Sequence, residues 1–172
     1  MGHAEPVEAC GQVIAHPSTG SGWRHTLRKI VIVYLSNKLS LKKNQFMIIG
    51  IGTDIVEVAR IAKSIEKAAF KKKVFSETEI VYCETKKNKA ESFAARFAAK
   101  EAFFKALGTG WRDGMAFNEV VISNDTLGKP SLNVVGKTAR IIAKKNIKTI
   151  HVSLSHTREI ALATVILEGK EK

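Results

Sequence analysis

The chain has 172 residues, 45% of them hydrophobic and 26% charged, and a formal net charge of +12 at pH 7. A chain of this length can bury a hydrophobic core unaided, and its two cysteines, Cys10 and Cys83, exclude a scaffold built on disulfides. The longest apolar run of the first part, Ile30 to Leu35, is too short to span a membrane. We therefore expect one globular domain in a reducing cytoplasm, and the positive charge favours anionic partners.

The first part of the chain differs in composition from the rest. Residues 1–46 contain a Ser/Thr/Gly cluster and then a short apolar run between basic flanks, without sustained periodicity. We expect this part to be a disordered N-terminal extension or a mis-assigned start, with Met47 as the true first residue. Residues 47–172 are expected to form the functional domain.

The first half of this domain is predicted to be mainly helical. Its predicted elements are a strand at Met47 to Thr53, a helix at Val56 to Lys73, a short helix at Ser76 to Tyr82 and a long helix at Glu91 to Leu107. Ser76 and Glu79 have the S-x-x-E spacing of a capping box, which indicates a helix start. Asn88 is a candidate cap for the long helix, and Gly108 and Gly110 are expected to end it.

The second half is predicted to be mainly strands. Its predicted elements are strands at Phe117 to Ser123, Ser131 to Val135, Ile150 to Ser155 and Ile160 to Leu167, with a short helix at Thr138 to Lys145. Helices in the first half and an antiparallel sheet in the second predict an α+β fold.

Two glycine pairs resemble fragments of nucleotide-binding loops but lack the full patterns. The G-I-G at residues 50–52 follows a predicted strand, yet Ile55 stands where the third glycine of G-x-G-x-x-G belongs. Gly108 and Gly110 are followed by Trp-Arg instead of the Gly-Lys-Ser/Thr of a P-loop. We interpret these glycines as residues that allow a bend and a helix end.

The predicted long helix carries a carboxylate within an apolar face. The residues at helical steps of four, four and three are Phe93, Phe97, Glu101 and Phe104. An unpaired carboxylate in such a place is costly, which predicts a cation as the partner of Glu101. A solvated face is an equal alternative, since Glu101 and Lys105, like Arg96 and Lys100, are four residues apart.

Asp54 supplies a second carboxylate at the end of the first predicted strand. An aspartate at a strand-to-helix junction commonly caps the helix, so this role stays open for Asp54. Together with Glu101, Asp54 would instead form a magnesium site for a phosphorylated substrate, because Mg²⁺ binds carboxylate and phosphate oxygens.

His156 lies in the segment SLSHT at residues 153–157, between two predicted strands. A structural role in the turn is open, and so is a Ser-His dyad, although a G-x-S-x-G elbow is absent from the sequence. The lysine runs at residues 71–73 and 86–87 are interpreted as solvated surface, because no aromatic residues are interleaved with them.

Four motifs in order resemble the holo-(acyl-carrier-protein) synthases, which are small, single-domain phosphopantetheinyl transferases. The motifs are GIGTDIVE from Gly50, RFAAKEAFFKALG from Arg96, GKP from Gly128 and SLSHT from Ser153. The resemblance covers roughly Met47 to Glu168, and members of that family usually begin near the residue that matches Met47. It favours the metal-site interpretation of Asp54 and Glu101 over their other interpretations.

The resemblance implies an α+β fold and a homotrimer with active sites between subunits. It implies transfer of the 4'-phosphopantetheine arm from coenzyme A to a serine of apo acyl carrier protein, in support of fatty acid biosynthesis. The other product would be adenosine 3',5'-bisphosphate. The implied protein partner is strongly acidic, which fits the basic chain, and neither nucleic acid nor a membrane is an expected partner.

The resemblance also implies a role for each candidate site residue. Asp54 and Glu101 would hold Mg²⁺ on the pyrophosphate of coenzyme A. Glu101 is the candidate to accept the serine proton, directly or through a metal-bound water, and Lys105 would stabilise the leaving phosphate. The residues implied to help hold coenzyme A are Arg96, Lys100, Gly108 and His156. Arg60, on the first helix, is implied to contact the carrier protein.

Two functions of other classes stay open at this point. A basic module that binds RNA or another polyanion would show steep salt dependence and no need for Mg²⁺. A metal-dependent phosphohydrolase would use the same carboxylates but transfer the phosphoryl group to water. The sequence also leaves open which carrier protein is served and whether Mg²⁺ or Mn²⁺ is used.

Overall fold

The computed structural model describes residues 47–112 and 114–170, so the N-terminal segment expected to be an extension lies outside the described residues. The described part is a mixture of helices and antiparallel strands, which confirms the α+β class. Its elements are β1 (Met47–Glu57), α1 (Val58–Ile65), α2 (Ala68–Val74), α3 (Glu77–Glu84), α4 (Lys89–Ala106), a 3-10 turn (Phe117–Glu119), β2 (Val120–Asn124), β3 (Pro130–Val134), α5 (Gly136–Ala143), β4 (Ile147–His156) and β5 (Ile160–Gly169). None of these helices has the length and apolar character needed to cross a membrane.

The strands of the described part form two antiparallel sheets. The larger sheet has the order β1-β5-β4, and its register pairs Asp54 with Ala163. The smaller one is the hairpin of β2 and β3. One face of the larger sheet packs against α4, and the opposite face exposes apolar residues such as Ile51 and Ile55, which are 61% and 62% exposed.

Helix α4 lies at the centre of the described part. It packs against β1, β5, α1 and α3, and its residues from Phe93 to Ala106 are buried except for Glu101 and Lys105. The small side chains on it let neighbouring elements approach closely; they are Ala94, Ala95, Ala98, Ala99, Ala102 and Ala106. The prediction of a long helix with a buried phenylalanine face is therefore confirmed.

Strand β1 is four residues longer than predicted. It continues to Glu57 because its pairing with β5 extends as far as Glu57 and Ile160. The helix that follows has Glu57 at its N-cap position, without a side-chain hydrogen bond. Asp54 thus lies inside a strand, and the helix-cap alternative for Asp54 is wrong.

The single helix predicted from Val56 to Lys73 is wrong, because the chain forms two helices separated at Glu66 and Lys67. A continuous helix with Ile61 and Ile65 on its inner face would also turn Lys72 inward. The break instead places Phe70 against the core and buries Val74. Burial of these apolar side chains outweighs the local preference for an unbroken helix.

Two cap predictions have different outcomes. The Ser76–Glu79 capping box is confirmed, with Glu79 N 3.3 Å from Ser76 Oγ and Ser76 N 2.8 Å from Glu79 Oε2. Asn88 occupies the N-cap position of α4 but makes no side-chain cap bond. Gly108 follows the end of α4 with φ +69°, as expected of a glycine that ends a helix.

The glycines of β1 serve for close packing rather than for a bend. A side chain at Gly52 would overlap the Ala102 carbonyl oxygen of α4, and one at Gly50 would overlap that of Ala106. The backbones of β1 and α4 approach each other directly at these two positions. This approach brings the Asp54 region of β1 next to the last two turns of α4.

We expect Gly52→Ala to lower the thermal unfolding midpoint clearly more than Gly110→Ala does, because the new methyl group forces two backbones apart. The measurement is thermal unfolding followed by circular dichroism. Gly110→Ala is the matched control, since Gly110 has open space around it and its φ of +63° adds only about 1–2 kcal/mol of backbone strain. A Gly52→Ala protein no less stable than the Gly110→Ala protein would contradict the packing role.

Candidate active site

Three charged side chains meet where β1 passes α4. Lys105 Nζ lies 2.8 Å from Asp54 Oδ1 and 3.1 Å from the Thr53 carbonyl oxygen. Glu101 lies one helical turn before Lys105 and is half-buried. The Asp54 side chain is 15% exposed and that of Lys105 is 53% exposed, so the cluster opens to solvent on the lysine side.

The two carboxylates of this cluster repel each other. Burial raises the pKa of the Glu101 carboxyl, and the nearby Asp54 raises that pKa further. Lys105 and Arg60 act in the opposite direction on the same pKa. A carboxylate that is both partly desolvated and close to a second one has a strong tendency to attract a cation.

The donor set of this cluster suits Mg²⁺. Asp54 and Glu101 offer oxygen ligands, and Mg²⁺ commonly takes one or two carboxylates and completes its shell with phosphates and water. Residues 47–112 and 114–170 contain no group of three or more His, Cys, Asp or Glu side chains that could enclose a metal. The residues present therefore fit a metal shared with a phosphorylated ligand better than a metal held by protein alone.

The alternative of a solvated charged face on α4 is wrong. Arg96 is 4% exposed and Lys100 is fully buried. Lys105, which that alternative pairs with Glu101, instead forms its ion pair with Asp54.

Lys100 forms the centre of a buried polar cluster. Its ammonium lies 2.8 Å from Glu79 Oε2 and 2.9 Å from the Phe117 carbonyl oxygen, and it also donates to the Val120 carbonyl oxygen. These three bonds use all three ammonium donors. Burial lowers the pKa of Lys100, and Glu79 opposes this change. The coenzyme A role of Lys100 stays a prediction, which would require these bonds to open.

Arg96 lies one helical turn before Lys100 and is held by bonds of its own. Its guanidinium donates to Asn124 Oδ1 at 2.8 Å and to the Ser92 carbonyl oxygen at 3.3 Å, and it lies 4.2 Å from the centre of the Tyr82 ring. The Nε atom is buried without a hydrogen-bond partner among the described residues. Its role toward coenzyme A also stays a prediction.

The remaining predicted residues lie on accessible surface. His156 ends β4, and its Nδ1 is 3.4 Å from Glu91 Oε2 at the start of α4. Gly108 follows α4 on the side of Lys105, with its N–H bonded to the Lys105 carbonyl oxygen. Arg60 is exposed on α1, with its guanidinium 5.9 Å from the centre of the Phe97 ring. The structure therefore brings together Asp54, Glu101 and Lys105, and it places the other candidates around α4.

Sequence reasoning missed Glu79 and Glu91. The sequence pattern identified Glu79 only as the capping-box partner of Ser76. In the structure its carboxylate also accepts hydrogen bonds from Lys100 Nζ and from the Ile122 N–H. No local pattern marks this second role, because Glu79 is 21 residues from Lys100 and the sequence does not show that Lys100 is buried. The contact of Glu91 with His156 joins residues 65 positions apart, and no local pattern marks it.

Comparison with known proteins assigns the family. Residues 50–165 match the 4'-phosphopantetheinyl transferase superfamily. The chain is 48% identical over 125 residues to the holo-(acyl-carrier-protein) synthase of Syntrophus aciditrophicus, covering 72% of this chain and 98% of that protein. The identity to the enzyme of the same name from Solibacter usitatus is 47%, covering 72% of this chain and 100% of that protein.

Solved structures agree with this assignment. The holo-(acyl-carrier-protein) synthase of Bacillus anthracis, in complex with CoA (3',5'-ADP), superposes with a TM-score of 0.61 at 36% identity, covering 72% of this chain and 99% of that one. The enzyme of Helicobacter pylori, in complex with coenzyme A, gives a TM-score of 0.60 at 34% identity, covering 68% of this chain and 98% of that one. The chain belongs to the 4'-phosphopantetheinyl transferase superfamily, and within it resembles the holo-(acyl-carrier-protein) synthases.

We expect Lys100→Met to destabilise the protein by about 3–5 kcal/mol, because it leaves the Glu79 carboxylate buried without its cation. Urea unfolding measures the change in the free energy of unfolding. Lys105→Met is the matched control, since its exposed pair with Asp54 contributes about 1 kcal/mol or less. Unchanged stability of Lys100→Met, with weaker coenzyme A binding, would instead assign Lys100 to the ligand.

Proposed function

We propose that this protein transfers the 4'-phosphopantetheine group from coenzyme A to a serine of an apo acyl carrier protein. The products would be holo acyl carrier protein and adenosine 3',5'-bisphosphate. The observation that carries the proposal is the half-buried Asp54–Glu101–Lys105 cluster in a member of this family. The related enzymes whose structures contain coenzyme A support the donor substrate.

Asp54 and Glu101 would hold Mg²⁺ at this cluster. When bound there, Mg²⁺ would neutralise charge on the diphosphate of coenzyme A and orient the attacking serine oxygen. The mutual repulsion of the two carboxylates supports this assignment, since a shared cation removes it.

The proposed reaction is a displacement at phosphorus. The serine oxygen attacks the phosphorus that carries the pantetheine arm, and the bond from that phosphorus to the bridging oxygen breaks. The electron pair of this bond goes to the bridging oxygen of adenosine 3',5'-bisphosphate, and the serine proton goes to Glu101. Lys105 stabilises the charge that develops on the leaving phosphate, as cations do in other phosphoryl transfers.

The surroundings of Glu101 suit a proton acceptor. Its carboxylate is half-buried on α4 close to Asp54, so it would lie beside the metal-oriented serine and accept the proton directly or through a metal-bound water. Lys105 lies one turn further along α4 and keeps a donor free, since it bonds to Asp54 and the Thr53 carbonyl group. One turn of helix would thus present the base and the leaving-group cation side by side.

Gly108 and His156 are proposed as contacts of coenzyme A, because both lie on accessible surface. The Glu91 carboxylate near His156 Nδ1 would hold the imidazole with its Nε2 atom available. Arg96 and Lys100 are proposed with them, but each would have to exchange an internal hydrogen bond for a phosphate contact. Arginine suits phosphate because its planar fork can bond two oxygens.

The acceptor is proposed to be a strongly acidic carrier protein that contacts Arg60, in the cytoplasm and in support of fatty acid biosynthesis. The positive charge of this chain supports an acidic partner, because opposite charges speed the encounter of two proteins. A module that only binds RNA or another polyanion would give no role to the carboxylates of Asp54 and Glu101. A phosphohydrolase would use the same residues but transfer the phosphopantetheine group to water instead of to a serine. A product assay separates the three functions.

A homotrimer is proposed as the working form, with active sites between subunits. The larger sheet supports this, since its face opposite α4 exposes Ile51, Ile55, Ile160 and Leu162 at 38–62%. A contiguous apolar face of this kind marks a protein interface more often than a free surface.

We expect Glu101→Gln to abolish transfer almost completely while leaving the fold intact, because an amide neither holds Mg²⁺ nor accepts the serine proton. The measurement is intact-mass spectrometry of apo acyl carrier protein incubated with enzyme, coenzyme A and Mg²⁺. The wild-type protein should add the mass of one phosphopantetheine group, and EDTA should prevent the addition. Glu77→Gln is the control, since Glu77 is exposed on α3.

Normal turnover by a folded Glu101→Gln protein would refute the assignment of this residue. Release of adenosine 3',5'-bisphosphate without a mass gain on the carrier would instead identify a hydrolase. Absence of both products from the wild-type protein, with several carriers and both metals, would refute the proposed function.

We expect Ile55→Glu to dissociate the trimer, because it places a charge in the centre of the apolar sheet face. Sedimentation velocity should give three times the chain mass of 18.9 kDa for the wild-type protein and one chain mass for the variant. Leu127→Glu, on the exposed turn between β2 and β3, is the control. A monomeric wild-type protein with full activity would contradict the proposal.

A further inference from the structure

A cavity lies at one end of the larger sheet, beside the last residues of α4. Its walls come from the starts of β1 and β4, the end of β5 and the end of α4. Its volume is about 440 Å³, which is within the usual range of ligand pockets in proteins. We call it the sheet-end cavity. Its lining includes none of the residues that the proposed function assigns to the metal, to coenzyme A or to the carrier protein.

Most of the lining of the sheet-end cavity is apolar. Seven of the nine described residues that line it have apolar side chains. Leu107 and Leu167 belong to the buried core, whereas Ile48 and Ile49 are 54% and 37% exposed. An apolar ligand that covers both kinds of side chain removes their surface from water, which is favourable. The lining therefore favours a ligand with an apolar chain.

Both strands that flank β5 are irregular beside the sheet-end cavity. The register of β1 on β5 skips Ile49, and the register of β4 on β5 skips Lys148. An extra residue of this kind bends its strand and changes the direction of the neighbouring side chains. The cavity thus lies where both outer strands depart from regular pairing.

The charge of the sheet-end cavity is positive. Its two polar lining residues are Lys145 and Lys170, and none of the described lining residues is acidic. Lys145 Nζ lies 3.4 Å from the Leu107 carbonyl oxygen, which uses one of its three donors. The ion pairs among the described residues include neither lysine. Both ammonium groups therefore have donors available for an anion.

We propose that the sheet-end cavity is a second ligand site, which binds a linear carboxylate with an apolar chain, the chemistry of a free fatty acid. The carboxylate would bind at Lys145 and Lys170, and the chain would cover the apolar lining. A ligand with one negative charge and an otherwise apolar body matches a lining of two cations and seven apolar side chains. This inference goes beyond the proposed function and does not depend on it.

The same lining disfavours ligands of other classes. Nucleotides, sugars and the amide groups of a pantetheine arm need several polar partners, because a polar group buried without one is costly. The described lining offers no polar side chain besides the two lysines. A lipid surface would contact the exposed Ile48 but would not reach Leu107 and Leu167, which are 7% and 2% exposed. A free carboxylate therefore fits better than these alternatives.

The first test is isothermal titration calorimetry of the full chain with sodium dodecanoate, below the concentration at which dodecanoate forms micelles. We expect one molecule to bind per chain. From octanoate to dodecanoate the affinity should rise by up to about fourfold for each added CH₂ group, as expected for burial of the chain. Dodecyltrimethylammonium has the same chain with the opposite charge and should not bind.

The second test uses two pairs of variants. Lys145→Ala should weaken dodecanoate binding about fivefold, the loss expected for one accessible ion pair. Lys144→Ala is the matched control, since Lys144 is the exposed neighbour of Lys145 and does not line the cavity. Ile48→Asp should weaken binding about tenfold or more, because it places a negative charge in the lining. Its control is Leu127→Asp, at a side chain that is 93% exposed.

Several outcomes would overturn the inference. No binding of dodecanoate would do so, and so would binding of many molecules per chain with equal losses in Lys144→Ala and Lys145→Ala, which would indicate general attraction to a basic protein. Displacement of dodecanoate by coenzyme A would assign the cavity to the coenzyme A site. Sedimentation with phosphatidylglycerol vesicles that is lost in Ile48→Asp, without binding of dodecanoate, would assign the surface to a lipid bilayer.

These tests are independent of the transfer reaction. Circular dichroism of each variant should show an unchanged fold, since Ile48 and Lys145 both keep accessible surface. Titration measures binding alone, whereas the mass gain of the carrier protein measures transfer. Failure of the carboxylate site would therefore leave the proposed function standing, and failure of transfer would leave the carboxylate site standing.

Discussion

The direct contact between β1 and α4 is the constraint on which the candidate site depends. Two glycines on the strand face the helix backbone, so the two elements approach more closely than any side chain would allow. Because Asp54 follows Gly52 by two residues, it points toward the same helix, where Lys105 meets its carboxylate. Glu101 is close enough for its pKa to respond to Asp54. The geometry of the charges is thus set by an interaction between backbones.

A second constraint lies on the far side of α4, where Lys100 joins three parts of the chain. Its ammonium binds Glu79 of α3, the carbonyl group of Phe117 at the start of the 3-10 turn and the carbonyl group of Val120 just after it. Buried ion pairs seldom stabilise a protein more than apolar residues of the same size. The contribution of Lys100 here is to position. Because its ammonium binds two backbone carbonyl groups, it fixes the 3-10 turn, and with it Phe117, relative to α4.

Local patterns were sufficient for the fold class, whereas the grouping of Asp54 with Glu101 stayed one of several interpretations until the resemblance to a known family favoured it. The Ser76–Glu79 capping box and the phenylalanine spacing of α4 depend on neighbours within one or two helical turns, so the sequence displays them. The length of β1 depends on pairing with β5, more than 100 residues later, and the break after Ile65 depends on where Phe70 packs. Neither could be predicted without the tertiary contacts. The sequence also does not show which basic residues of α4 are buried, because Glu79, the partner of Lys100, is 21 residues away.

Lys100 and Lys105 lie on the same helix but serve different purposes: Lys100 holds the fold together, and Lys105 belongs to the candidate active site. The two residues are identical and five positions apart, which places them on different sides of α4. One is fully buried with all its donors bonded, and the other is half exposed with a donor to spare. Glu101 lies between them in sequence but faces the side of Lys105, where its charge is only partly compensated. The buried side of α4, with Lys100, holds the helix in place, while charged groups on its exposed side keep unused hydrogen-bonding capacity. These groups remain available to bind a phosphorylated ligand.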